Sequence, residues 1–179
     1  MPAISRAAEI LELANHDDSL TFIDIVHRHI HKKNFFDYQK RFLNLADDGT
    51  IELLLKATTK QMHLIITVDA EGKSYFDSYV GGTYSDGTLQ TSFNRFIDNA
   101  PAASGGIYLT PTVSTVGTVR FEKLILGGTG PQSTGASGGS RVESILDVNT
   151  ELLIVITNKS GQAKDYGITI EWYEESEES

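Results

Sequence analysis

The sequence predicts an all-β protein: a jelly-roll-like antiparallel β-sandwich carrying an N-terminal helical or extended arm. Three observations lead there. Short apolar or alternating runs recur from residue 20 to residue 173. Turn residues punctuate them at Asp47–Asp48–Gly49, Glu71–Gly72, Ser85–Asp86–Gly87 and Asn158–Lys159–Ser160–Gly161. No βαβ alternation and no fixed-period repeat interrupts the pattern. Many short strands separated by such turns pack as a sandwich or barrel.

Residues 1–19 form the arm. Ala7, Ile10, Leu11, Leu13 and Ala14 recur near helical spacing with Glu9 and Glu12 between them, and Asn15–His16–Asp17–Asp18–Ser19 ends the pattern. A helix packed on its own domain and an arm docked on a neighbouring subunit both fit. Residues 20–173 form the β domain. Thr21–Ile30 reads as its first strand, with Phe22, Asp24 and Val26 alternating against Ile23, Ile25 and the histidines. Ile51–Ala57 and Met62–Ala70 are β-rich runs. In Gly117–Leu126, Val119, Phe121 and Lys123 alternate with Arg120, Glu122 and Leu124. Glu151–Asn158 is almost continuously apolar, as a strand buried on both faces would be. Tyr166–Glu174 alternates again. Val26, Leu54, Leu64, Ile66, Phe121, Leu153, Val155, Ile170 and Trp172 are the expected core. Two long loops stand out, Gly81–Gly106 and the glycine-rich Gly127–Ser140. The latter is so poor in core formers that it is either mobile or ordered by a partner. Residues 174–179 read as a solvated acidic tail.

Composition narrows the function. Fifteen Lys and Arg face 24 Asp and Glu, a formal charge of −9, and no basic run exceeds Lys32–Lys33. A nucleic-acid partner wants a cationic face, so none is expected. The first residues hold no long apolar run, which predicts neither a secretory leader nor a membrane span. There is no cysteine, hence no disulfide framework and no thiolate metal site.

The histidines are the most conspicuous candidates. On a strand, His27, His29 and His31 would share one face. A His-x-His strand is how cupin-type sandwiches begin a metal site, and His63 is the available distant ligand. Lys32 and Lys33 would repel a dication there, and after His31 no carboxylate comes before Asp37. Metal binding by His27, His29 and His63 is therefore the weak alternative; a titrating contact or satisfied strand residues are the others. Gly127–Ser140 lacks the Gly-Lys-Ser/Thr ending and the following helix of a phosphate loop. There is no thiol, nothing in sequence spacing unites Ser, His and Asp, and the carboxylate pairs Asp17–Asp18 and Asp47–Asp48 sit in turns, where Asp bonds locally. Tyr75, Phe76, Tyr79, Tyr84, Trp172 and Tyr173 could stack on a sugar, although aromatics more often fill cores and interfaces.

The order of segments carries a resemblance. His27–Arg28–His29–Ile30–His31 leads into Phe35–Phe36; "LLLKATTKQMHL" spans Leu53–Leu64; Gly87–Thr88 precedes Asn94–Arg95; "YLTPTVSTVGT" spans Tyr108–Thr118. Gly127–Gly128 and Gly138–Gly139–Ser140 close on Arg141, and "NTELLIVITNKSGQA" is followed by "EWYE" at Glu171–Glu174. In this series, over residues 22–174, the chain resembles a group of small tailed-phage virion proteins of the capsid decoration type. It departs at Lys32–Lys33, where the group usually carries glycine, and residues 1–20 match nothing in it. The resemblance implies a cement protein on the capsid surface, made in the host cytoplasm, with no catalytic residues and no cofactor. Its implied partners are the major capsid protein and its own copies, with a homotrimer fitting local three-fold axes. Ile4, Ile10, Leu11 and Leu13, then His27, His29 and His31, are the expected contact residues.

Overall fold

The computed structural model describes residues 25–98, 100–127 and 144–176. The arm contacts Ile4, Ile10, Leu11 and Leu13 and most of the glycine-rich loop lie outside them. One short helix, α1 (Ile25–His31), precedes thirteen strands. These are β1 (Phe35–Leu45), β2 (Thr50–Lys56), β3 (Gln61–Ala70), β4 (Ser74–Val80), β5 (Thr83–Ser85), β6 (Thr88–Leu89) and β7 (Phe93–Asn94). Then come β8 (Gly106–Leu109), β9 (Thr112–Thr115), β10 (Thr118–Ile125), β11 (Ser144–Leu146), β12 (Glu151–Asn158) and β13 (Lys164–Glu175).

The topology is that of a jelly roll. Four nested antiparallel pairs form, β1 with β13, β2 with β12, β3 with β11 and β4 with β10. Pairing of β13 with β3 and of β12 with β4 then joins them into two facing sheets. The first sheet runs β11-β3-β13-β1-β7 and the second β10-β4-β12-β2-β8-β6. Strands β5 and β9 form a small ribbon of their own.

Alternation decides what lies between the sheets. Tyr166, Ile168, Ile170 and Trp172 of β13 face Leu53, Leu55, Ile154 and Ile156 of the second sheet in one buried cluster, joined by Phe36, Met62 and Leu64. Trp172 stacks on Phe36 with centroids 5.6 Å apart. β12 is buried on both faces, as its apolar run predicts: Leu152, Ile154 and Ile156 point inward and Leu153 outward. Leu54 and Leu153, on the outer face, are buried as well. Lys56, on that face, is bonded to Asp86 at the tip of β5 and to Glu151, with its ammonium over the Tyr108 ring. Burial alone would lower the Lys56 ammonium; the two carboxylates outweigh it and raise it above the ordinary lysine value.

Of the expected core, Leu54, Leu64, Leu153, Ile170 and Trp172 are buried and Ile66 packs against the cluster. Val26 and Val155 are only half-buried. Phe121 points inward but remains 40 % exposed, because β10 is an edge strand and a bulge at Arg120 splits its alternation.

Tyr38 carries its own test. Its hydroxyl is buried in the core without a hydrogen-bond partner among the described residues, and burial pushes its pKa up to about 12. An unfolded tyrosine ionises near 10. The neutral phenol therefore supports the fold fully below pH 10, and that support is lost as pH rises from 10 to 12, about 2–3 kcal/mol in all. Urea titrations between pH 9 and 11.5 should show wild type losing stability faster than Tyr38→Phe. At pH 7 the variant should be neutral or about 1 kcal/mol more stable, since it removes an unpaired hydroxyl. Parallel alkaline curves would contradict this account.

Candidate functional site: the histidine clasp and the apolar edges

The histidine segment is a helix, not a strand. A spacing of two puts three histidines on one face of a strand, but on a helix it sets His27 and His31 together and His29 apart. The helix ends in a Schellman turn: the Asn34 N–H donates to the His29 carbonyl (3.2 Å) and the Lys33 N–H to that of Ile30 (2.9 Å). Lys33 takes the left-handed conformation, φ 60°, that such a turn requires. A lysine in that conformation is strained by about 1–2 kcal/mol. Its ammonium lies over the Phe96 ring, 4.4 Å from the centroid.

His27 and His31 are exposed and bonded to each other through Nε2 atoms 2.9 Å apart, so one of the two must be neutral while that bond lasts. His29 is buried on the outer face of the first sheet. Its ring stacks on Tyr173 at 3.9 Å, and His63 stacks on Tyr173 as well, at 4.3 Å. Asn34 donates through Nδ2 to the Glu174 carbonyl (2.7 Å), which leaves its Oδ1 to accept from His29 Nδ1–H (3.1 Å). His29 Nε2 faces the Glu175 carboxylate 3.5 Å away, an ion pair when the imidazole is protonated, and the same carboxylate lies 3.9 Å from His63 Nε2. This clasp fastens α1 to β13 and β3. It separates His27 from His29 and His63, so the three suggested metal ligands do not converge. Among the described residues no group of three or more His, Asp or Glu is placed to hold a metal ion.

Two further fasteners have roles that the sequence did not disclose. Arg95 bonds Asp37 through Nε (3.0 Å) and Glu171 through Nη2, two carboxylates that face each other across β1 and β13, and it lies over the Phe35 ring. Asn94 holds the carbonyls of Lys33 and Pro101. The Asn-Arg pair is thus a buckle on the β1 edge. Glu174 is the second. It is almost fully buried and accepts from the Ser104 and Gly105 backbone N–H groups at 2.8 and 2.9 Å. The last strand accordingly runs through Glu175, two residues into the stretch expected to be a solvated tail.

Most of the exposed large apolar side chains among the described residues lie on two opposite lateral edges; Leu43, Tyr75 and Val116 are exposed elsewhere. On one, Leu89 of β6 and Phe93 of β7 flank the fully exposed Ile97. On the other, Phe121 of β10 points between the sheets, Val119 and Leu124 lie on the outer face of the second sheet with Leu126 just beyond the strand, and Ile145 of β11 lies on the outer face of the first. Beside this second edge, burial and the facing Glu122 push the Asp77 carboxyl above its ordinary value.

No known protein family, curated protein or solved structure matches this chain. The site therefore has to be read from its own geometry. Of the aromatic candidates for sugar stacking, Trp172 and Phe76 are core, Tyr173 is inside the clasp and Tyr84 is turned back to donate to the Val116 carbonyl, while Tyr75 and Tyr79 share the outer face of β4, where Tyr75 is exposed. Among the described residues, most of the exposed large apolar side chains lie along these edges.

Proposed function

We propose that the protein is a capsid decoration, or cement, protein. It binds the outside of a tailed-phage head and stabilises it through contacts with the major capsid protein and with copies of itself. The observation that supports this most is the pair of apolar edges on opposite sides of one jelly roll. Such edges bury surface against neighbours. Two unlike patches suit head-to-tail contacts, which form a ring where the rotation between copies closes; a homotrimer on a local three-fold axis is the smallest such ring. The arm, with Ile4, Ile10, Leu11 and Leu13, supplies a further apolar contact, and exposed His27 and His31 rim it. Each bound copy raises the cost of separating capsomers by mass action.

The test is direct. Purified protein added to heads that lack it should bind saturably, co-sediment and appear outside the shell in a density map. Deleting residues 1–19 should leave the body folded and weaken binding about tenfold, roughly 1.4 kcal/mol. Heads that take up no protein would reject the reading. So would a Leu89→Asp/Phe93→Asp double variant that binds as well as wild type.

A further inference from the structure

The helix α1 brings together two side chains that a strand would hold about 13 Å apart. Residues four apart on a helix lie one above the other on the same face, and the Nε2 atoms of His27 and His31 stand 2.9 Å from each other. Their ring centroids are 4.5 Å apart, with an interplanar angle of 71°. Both side chains are exposed, where a hydrogen bond between two imidazoles gains little over bonds to water. The same spacing suits a shared cation. With metal–nitrogen bonds of about 2.0–2.1 Å, nitrogens 2.9 Å apart subtend about 90° at the ion. That is the angle between neighbouring ligands of a square-planar or octahedral centre, whereas a tetrahedral pair needs nitrogens about 3.3–3.4 Å apart.

The pair is also held in advance. A helix as short as α1 is marginal in water by itself, but this one is fastened through other residues. His29 is buried against Tyr173, Asn34 donates to the Glu174 carbonyl, and Asn94 donates to that of Lys33. A cation therefore meets two imidazoles on an ordered backbone, and the second joins as an intramolecular ligand. The neighbouring cationic side chains are set off from the pair. Arg28 and Lys32 each follow a histidine by one residue, about 100° round the helix, and the Lys33 ammonium lies over the Phe96 ring. The repulsion expected for a strand site is weakened accordingly, and water screens what is left at an exposed position.

We propose that His27 and His31 chelate a divalent first-row cation that favours square-planar or octahedral coordination, copper(II) or nickel(II). Each neutral ring carries its one hydrogen on Nδ1 and gives its Nε2 lone pair to the ion, which replaces the hydrogen bond between the rings. A small turn of each exposed ring aims the two lone pairs at one point, and water fills the remaining positions. The site shares no residue with the clasp of His29, His63 and Glu175, and it does not depend on the decoration reading: heads that take up no protein would leave it standing.

Full-length protein freed of metal by a chelator and then titrated calorimetrically with nickel chloride should take up one ion per chain. One equivalent of copper(II) should give an electron paramagnetic resonance spectrum with two equatorial nitrogens. His27→Ala and His31→Ala, both at exposed positions, should each weaken nickel binding about tenfold or more, because one imidazole alone is no chelate. His31→Ala/Lys32→His keeps the number of histidines but moves the second ring off the row, and it should bind no better than His31→Ala. No uptake of either ion overturns the proposal. So does binding that survives His27→Ala, binding by His31→Ala/Lys32→His as tight as that of wild type, or a copper spectrum with a single nitrogen.

Discussion

Replacing Asn158 by leucine is expected to cost about 4 kcal/mol, a large share of the 5–15 kcal/mol that holds a domain of this size. Asn158 has no accessible surface. Its amide donates to the carbonyls of Leu45 (2.8 Å), Ala46 (3.1 Å) and Gln162 (2.7 Å), so one of its two hydrogens is shared. Its Oδ1 accepts from the Ser160 N–H at 3.0 Å. One side chain thereby closes both the β1–β2 and β12–β13 turns, and the backbone pair between Asn158 and the Asp48–Gly49 turn completes the knot. Leucine would leave buried carbonyls and one N–H without partners, at roughly 1–3 kcal/mol for each group that water fails to reach. Asn158→Asp should be worse still, since it sets a buried carboxylate against three carbonyl oxygens. Urea unfolding of both variants at pH 7 checks the order. A loss under about 1 kcal/mol for leucine would mean that water or a rearranged turn replaces the side chain.

That residue shows why much of the fold was legible in the sequence and much of the wiring was not. Asn158 was recognised as a turn signal because Asn-Lys-Ser-Gly is turn chemistry in any context. Its bonds to Leu45 and Ala46 depend on where β1 ends in space. β12 was readable because a run buried on both faces needs no phase. β1 was harder: Phe35 and Phe36 are both buried, one under α1 and one in the core, which erases the alternation at its start. The histidines were ambiguous for a geometric reason. A spacing of two is compatible with strand or helix, and the Schellman turn at Lys33 carries no glycine to announce itself. Arg95 was noticed only as part of the Asn-Arg motif, since its role follows from the register that sets Asp37 opposite Glu171. Phe121 was assigned to the core on a correct phase; what failed was the assumption that a strand's inner face is always covered. The exposed edges follow from strand order, which periodicity does not encode.

Glu174→Leu should be the second large loss, about 3–4 kcal/mol, and its origin differs from that of Asn158. Adjacent acidic residues made Glu174 look like part of a solvated tail, yet its carboxylate is drawn in by backbone N–H groups 70 and 69 residues away. Bonds to an ionised acceptor are stronger than neutral ones, about 1.5–3 kcal/mol each, and leucine leaves both donors buried or forces residues 100–105 off β13. That segment leads into β8, whose Gly106 pairs with Lys56, so the damage should spread to the sheet edge beside Leu89. Glu174→Gln separates the charge from the shape. It keeps one accepting oxygen and should lose about half as much. Gly105→Ala offers an independent check: an added Cβ would stand 2.5 Å from Met62 Sδ and 2.8 Å from the Lys56 carbonyl, so the loop could not approach the carboxylate. Hydrogen exchange at Gly105 and Ile107 should accelerate in all three variants while β12 stays protected until global unfolding. If the Glu174→Leu chain unfolds within about 1 kcal/mol of wild type, or if exchange quickens evenly across both sheets, the carboxylate is not what pins this loop. The edge of exposed Leu89, Phe93 and Ile97 would then owe its shape to the Arg95 buckle alone.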